Sequence, residues 1–244
     1  MNPRKSARIV GILFIIGTVA GILSFVGIGP QESPDYLVNI SANKTKVITG
    51  ALLVLVMGVA IAPIPAMLYP ILKKYNESLA LGYVVFRTIE VVTYIGIVVS
   101  WLLLVTISQE YVQAGAQDAS YYQALGTLLK AVGEWIDPVL VIVFSISALI
   151  LNCMFYQSRL VPRWLSGWGL FGATLHLAEG LLALFGYTDI SVWGLPVYLP
   201  IGLQEMVYAV WLIAKGFNPS AIASMYAYTE ANESTDLGPE EEMK

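Results

Sequence analysis

The sequence predicts an all-α, polytopic integral membrane protein built as a bundle of six transmembrane helices. Of its 244 residues, 57% are hydrophobic and 12% are charged, whereas about a quarter of the residues of a soluble domain are charged. The apolar residues also fall into continuous runs of about 20 residues, the length that crosses a bilayer as a helix. Because backbone groups in lipid must be paired internally and these runs do not alternate with polar residues, helices are predicted rather than a β-barrel.

Six apolar runs have this length, and the first follows the basic segment "MNPRKSAR". They lie at about 8–28, 47–69, 79–107, 138–157, 164–186 and 195–214. The first run resembles a secretory signal peptide, but its length and the lack of a small-residue cleavage site favour a membrane span. The transmembrane domain is therefore expected over residues 1–216.

The segments between the spans carry their own predictions. "LKKYNES" joins the second span to the third, and "SRLVPR" joins the fourth to the fifth. A long external loop is expected at 108–137, and its part at about 119–135 is apolar on one side, which is typical of a helix lying on the membrane surface. "GFNP" marks the end of the last span, and the acidic segment 217–244 has the composition of a disordered tail.

Prolines in the second span predict a bent helix. Pro63 and Pro65 fall in its second half and Pro70 directly follows it, and each proline removes a backbone donor and distorts the helix around it. Broken helices of this kind line the binding sites of some transporters.

Basic residues predict the orientation of the spans. With the N-terminus in the cytoplasm, nine of the lysines and arginines lie on the cytoplasmic side and three on the other. The nine are Arg4, Lys5, Arg8, Lys73, Lys74, Arg159, Arg163, Lys215 and Lys244, and the three are Lys44, Lys46 and Lys130. By the positive-inside rule, both termini are expected in the cytoplasm.

Several classes of function are not expected. The lone cysteine, Cys153, lies in a predicted span and excludes a disulfide framework and a cysteine-based metal cluster. The chain has no Walker-type glycine loop, no dinucleotide fingerprint and no strongly basic patch for nucleic acid. The expected partners are the lipid bilayer and a small-molecule or cation ligand, and the oligomeric state is left open.

Five ionisable residues lie in the middle of predicted spans, where charged groups are costly and mark functional sites. They are Arg87 and Glu90 in the third span, His176 and Glu179 in the fifth, and Glu205 in the sixth. Residues three apart share a helix face, so each basic residue lies beside the following glutamate. Tyr83, Tyr94, Gln204 and Tyr208 adjoin these faces as secondary candidates. The sequence therefore predicts one buried polar cluster spread over three helices.

The charges of this predicted cluster do not balance. With all groups ionised and His176 neutral, one arginine and three glutamates leave a net charge of −2, which burial opposes by several kcal/mol per uncompensated ion. The imbalance is relieved if His176 or a glutamate takes up a proton, or if a cation or cationic substrate binds.

Three hypotheses follow from this imbalance. The cluster is a structural ion-pair network, or it belongs to a transporter or small-ligand-binding protein in which Glu90, Glu179 and Glu205 carry protons or a cation. Alternatively, it is an intramembrane enzyme or metal site, with His176 as general base or with glutamate and histidine binding Zn or Fe. A single histidine is sparse for a metal centre, so no cofactor is predicted.

Three stretches carry a resemblance to a known family. They are "YPILKKYNESLALGYVVFRTIE", "RLVPRWLSGWGLFGA" and "LQEMVYAVWLIAKGF". On these motifs, from residue 8 to about 218, the chain resembles the bacterial and archaeal membrane proteins grouped as domain-of-unknown-function family 4386. The family pattern stresses the arginine–glutamate pair, here Arg87 and Glu90, and the final glutamate, here Glu205. The resemblance implies a multi-pass protein of a prokaryotic plasma membrane and assigns no reaction.

Overall fold

In the computed structural model, residues 2–114, 119–187 and 190–236 are described, and nearly all of them are helical. The helices are α1 (Pro3–Ser24), α2 (Tyr36–Ala42), α3 (Lys44–Ile61), α4 (Pro63–Leu72), α5 (Glu77–Ala114), α6 (Ala119–Ser158), α7 (Arg163–Leu184), α8 (Ile190–Ala214) and α9 (Pro219–Asp236). Two short turns of 3-10 helix, Phe25–Gly27 and Gly29–Gln31, follow α1. The fold is all-α, as predicted.

Five helical stretches in the described part of the chain are long and apolar enough to cross a membrane. They are Pro3–Gln31, Lys44–Leu72, Glu77–Ala114, Ala119–Ser158 and Pro196–Ala214. The remaining predicted span corresponds to α7, which has sufficient length at 22 residues. Its glycines, tryptophans, His176 and Glu179 dilute its apolar content, so it is not among the five.

The long helices pack as a closed ring. Following the ring, α1 packs against α3, α3 against α5, α5 against α6, α6 against α7, α7 against α8, and α8 against α1. The second predicted span is divided at Ala62 into α3 and α4, and Pro63 and Pro65 lie in the first turn of α4. The helix is thus interrupted directly before two of the three prolines, while Pro70 lies inside α4.

The prediction of a loop at 108–137 is wrong for the residues described there. Helix α5 continues to Ala114, and α6 begins at Ala119, so that 119–135 is the first half of a 40-residue helix. Side chains tie the two helices together: the Ser100 hydroxyl donates to the Leu129 carbonyl at 2.9 Å. The apolar run ends before the helix does, because a helix that packs one face against its neighbours stays formed without a continuous apolar sequence.

The start of α1, the end of α8 and α9 lie at the same end of the ring. Arg4 Nη2 donates to the carbonyl of Ala214 at 2.7 Å. Disorder was predicted for 217–244, but as far as Asp236 this segment contains α9, whose Ala221 and Met225 are buried. An apolar face in its first turns attaches α9 to the bundle.

Candidate functional site

A buried ion pair on α5 forms the centre of the site. Arg87 Nη1 donates to both carboxylate oxygens of Glu90, at 2.9 and 3.0 Å, and the two side chains are 1% and 0% exposed. The Tyr94 hydroxyl donates to Oε1 of Glu90 at 2.7 Å. The three residues lie on one face of α5 at spacings of three and four, so the helix itself sets their geometry.

Helix α8 adds the second carboxylate. Arg87 Nη2 donates to Oε1 of Glu205 at 3.3 Å, and the Glu205 side chain keeps 18% of its surface exposed. One guanidinium therefore lies between two carboxylates. The contact of Arg87 with Glu205 is longer than its contacts with Glu90, and Glu205 is the more accessible of the two carboxylates.

Aromatic rings enclose the guanidinium on its remaining sides. Arg87 Cζ lies 5.7 Å from the ring centres of Phe14 and Tyr83, and 5.2 Å from that of Phe144, within the range of cation–π attraction. Among the described residues, Arg87 Nε and the hydroxyls of Tyr83 and Tyr208 have no hydrogen-bond partner. The enclosure fixes the guanidinium by apolar packing as much as by hydrogen bonds.

Gln204 belongs to a separate polar contact. Its Nε2 donates to Asn152 Oδ1 at 3.2 Å and to the Leu165 carbonyl at 3.3 Å. The amide of Asn152 in turn packs directly against Gly169, where a Cβ atom would overlap it. Gln204 thus joins α8 to α6 and α7 and does not contact the arginine network.

His176 and Glu179 form a second group on α7. His176 Nδ1 lies 3.0 Å from the Ser145 hydroxyl, and its ring meets those of Phe144 and Tyr198 edge-on at 5.3 and 4.8 Å. Phe144 also contacts Arg87, so this ring separates the two groups. The structure divides the predicted cluster of five residues into a group of three and a group of two.

Glu179 is buried without a strong partner. Its side chain is 4% exposed, and neither carboxylate oxygen has a hydrogen bond of ordinary geometry within the described structure. The Tyr198 hydroxyl and the Asp137 carboxylate are close enough to interact with it. The Tyr198 hydroxyl attracts the Glu179 carboxylate, and the Asp137 carboxylate repels it.

A cavity of about 740 Å³ leads from one end of the ring to the arginine network. Its outer part is lined by Glu32, Lys130 and Glu134, and its inner part by Tyr94, Phe144 and Glu205. Asp137 lies between these levels and also interacts with Glu179. The cavity therefore exposes Glu205 directly and approaches Glu179 through Asp137.

The sequence prediction missed several residues of the site. Asn152 and Ser145 are polar residues within the predicted fourth span, and extending the search beyond ionisable groups would have found them. Phe14 and Phe144 look like ordinary apolar residues of a span, so nothing in the sequence distinguishes them. Across residues 2–114, 119–187 and 190–236, no three His, Cys, Asp or Glu side chains are grouped so as to hold a metal ion.

Comparison with known families bears on the same region. A family model described as "Domain of unknown function (DUF4386)" matches residues 9–216. The chain belongs to this family. The match confirms the resemblance seen in the sequence motifs and covers α1 to α8, including every residue of both polar groups. No curated protein and no solved structure matches the chain.

Proposed function

We propose that this DUF4386 protein is a six-span protein of a prokaryotic plasma membrane, with α7 as the sixth span and both termini in the cytoplasm. Two observations support this topology: α7 occupies a full place in the ring between α6 and α8, and the basic residues cluster at one end. A fluorescent protein fused after Lys244 should be fluorescent in bacterial cells, while an alkaline phosphatase fused there should be inactive. The opposite result would place the C-terminus outside.

We further propose that the protein binds a small organic cation in the 740 Å³ cavity, in the manner of a transporter. The observation that carries this proposal is the charge of the lining, which has four carboxylates and one ammonium group. The carboxylates are Glu32, Glu134, Asp137 and Glu205, and the ammonium group is that of Lys130. The volume lies within the range of small-molecule sites.

The carboxylates differ in burial along the cavity. Glu32 and Glu134 are exposed, Asp137 is half-buried, and Glu205 is mostly buried. Lys130 lies 3.8 Å from Glu134 and offsets the charge only at the mouth. A cation moving inward therefore meets Asp137, which has no ion pair among the described residues, and then Glu205, which shares the single charge of Arg87 with Glu90. The attraction of a cation to these carboxylates strengthens as water is excluded.

The walls of the cavity suit a cation that also has an apolar part. Trp101, Tyr94 and Phe144 line it together with aliphatic residues of α1 and α3. Aromatic faces attract cations, and the aliphatic residues bury hydrocarbon. An amine or quaternary ammonium compound with an aromatic or alkyl body matches both properties.

Binding is tested with a cation and an anion of similar size on the purified full-length protein. We expect benzyltrimethylammonium to raise the melting temperature in detergent, and benzenesulfonate to leave it unchanged. In Glu205→Gln the affinity for the cation should fall by about tenfold or more, since the variant removes the deepest accessible carboxylate. Uptake of the labelled cation into proteoliposomes then separates transport from binding.

Glu110→Gln is the matched control. Glu110 is an exposed glutamate near the end of α5, outside the cavity lining, and its substitution removes the same charge. Equal stabilisation by the two probes, or equal loss of binding in the two variants, would contradict the proposal. If Glu205→Gln lowers the melting temperature strongly but leaves the affinity for the cation unchanged, the result would instead support a purely structural ion-pair network.

A further inference from the structure

A second cavity lies at the opposite end of the ring, between the α6–α7 turn and the end of α8. Its volume is about 580 Å³, and three cationic side chains line it: Arg159, Arg163 and Lys215. All three are exposed. We call it the basic groove.

No acidic residue balances this charge. The lining of the basic groove contains no aspartate or glutamate, and no ion pair found in the described structure involves its three cations. Arg163 is held in place by the α6 end, because its Nε donates to the Tyr156 carbonyl at 3.3 Å and its guanidinium lies 5.2 Å from the Tyr156 ring centre. The groove therefore brings three positive charges together, and the Arg163 guanidinium is held in place.

The backbone around the basic groove is fixed as well. Arg159 and Gly216 both have positive φ, at 57° and 74°, so the chain turns sharply on each side. The two turns are joined, since the backbone N–H of Asn218 donates to the Leu160 carbonyl at 2.9 Å and its side-chain amide donates to the Arg159 carbonyl at 3.3 Å. The cations are thus held on two connected turns.

Two helices also begin at this groove. Arg163 is the first residue of α7 and Pro219 the first of α9, and both residues line the groove. The N-terminal ends of helices carry partial positive charge and favour anions. The partial charge of these helix ends is positive, like the charges of the three side chains.

The basic groove lies at the depth where lipid headgroups are expected. It lies directly beyond the ends of two membrane-spanning stretches, at Ser158 and Ala214. Trp211 and Phe217 line it beside the cations, and the nearby Trp164 is 57% exposed. Tryptophan at the end of a span is typical of the bilayer interface.

We propose that the basic groove binds a phosphate group at the membrane surface, and that an anionic phospholipid such as phosphatidylglycerol supplies it. Three cations and two helix N-termini attract the phosphate, and Trp211 and Phe217 pack against the glycerol and the upper acyl chain. The site is independent of the organic-cation cavity, because the two lie at opposite ends of the ring and share no lining residue.

Lipid binding is measured by native mass spectrometry of the full-length protein in detergent, titrated with phosphatidylglycerol or phosphatidylcholine. We expect phosphatidylglycerol to bind tighter by about tenfold or more, because each basic residue near an anionic headgroup adds to the attraction. The triple variant Arg159→Gln, Arg163→Gln, Lys215→Gln should lose that preference. The double variant Arg159→Gln, Lys215→Gln leaves the Arg163 contacts intact and should lose most of it, which guards against misfolding of the triple variant.

The control variant Lys5→Gln, Lys73→Gln, Lys74→Gln removes three charges at the same end but outside the basic groove, and it should keep the preference. Equal binding of the two lipids, or equal losses in the two triple variants, would overturn the proposal. Inorganic phosphate distinguishes the source: if it stabilises the wild-type protein while phosphatidylglycerol does not, the ligand is a soluble phosphate and the lipid assignment is wrong.

Discussion

Helices α5 and α7 carry the same pattern, a basic residue followed three positions later by glutamate, yet they use it differently. In α5, Arg87 and Glu90 form an ion pair within the helix, in which Nη1 donates to both carboxylate oxygens. In α7, His176 contacts Ser145 of α6, and Glu179 has no hydrogen-bond partner in the described structure. One pair is joined and the other is not.

The difference follows from side-chain reach and from the neighbouring helix. The arginine side chain is long and its guanidinium has several donors. Arg87 therefore contacts Glu90 on its own helix and Glu205 on α8 at the same time. The imidazole is short, and α6 offers it a hydroxyl. A shared helix face brings two residues near each other, but the donor geometry and the adjacent helix decide whether they bind.

The largest effect that tests this comparison is expected from Glu90→Gln. Glu90→Gln removes both short contacts to Arg87 Nη1 and the charged acceptor of the Tyr94 hydroxyl, and leaves the guanidinium with only its 3.3 Å contact to Glu205. The variant should lose about 3–5 kcal/mol of unfolding free energy. Equilibrium unfolding in mixed detergent micelles measures it. Combining Glu90→Gln with Arg87→Met and Glu205→Gln removes all three charges of the network and should restore part of the loss. A stability equal to wild type in the single variant would show that the pair is not formed.

Tyr94→Phe should have the next largest effect. The Tyr94 hydroxyl donates to the Glu90 carboxylate at 2.7 Å, and a hydrogen bond to a charged group contributes about 1.5–3 kcal/mol. The same unfolding assay applies. In the Glu90→Gln background the substitution should cost less, since the acceptor is no longer charged, and an unchanged cost would contradict the assigned bond.

Ser145→Ala tests the α7 group, and it should lower the free energy of unfolding by less than Tyr94→Phe does. It removes the contact with His176 Nδ1, a neutral hydrogen bond that contributes about 0.5–1.5 kcal/mol. Ser147→Ala on the same helix is the control, because the Ser147 hydroxyl donates only to the carbonyl of Phe144. If both variants lose the same stability, the His176 contact contributes nothing of its own.

Glu179→Gln should have the smallest effect and the opposite sign. The carboxylate is buried beside Asp137, and its contact with the Tyr198 hydroxyl is not a hydrogen bond of ordinary geometry. Replacing it with a neutral amide should leave stability unchanged or raise it by up to about 1 kcal/mol. Comparing it with Glu90→Gln in one assay measures the difference between the two helices directly. A loss as large as that of Glu90→Gln would mean that the two pairs are equivalent.

The sequence predicts the helical spans well because apolar length is a local property. The position of Arg87 and Glu90 on one face of α5 was also predictable from their spacing, whereas the ion pair between them depends on the reach of the guanidinium as well. The division of the five residues into two groups was not, because it depends on the rotation of α7 about its axis and on the place of Phe144, a residue without a distinguishing pattern. The same limit applies to the continuation of α5 and α6 beyond the apolar runs, where a helix without lipid around it leaves no hydropathy trace.

The length of the α5–α6 hairpin has a practical consequence. With 38 and 40 residues, these helices measure about 57 and 60 Å at 1.5 Å per residue, about twice the hydrocarbon thickness of a bilayer. We therefore expect the hairpin to extend beyond a detergent micelle. Gln123 donates to Tyr111 at 3.1 Å between its two arms. For a 26.6 kDa chain otherwise hidden in detergent, this rigid projection gives an antibody fragment a firm epitope and electron microscopy a feature for aligning particle images.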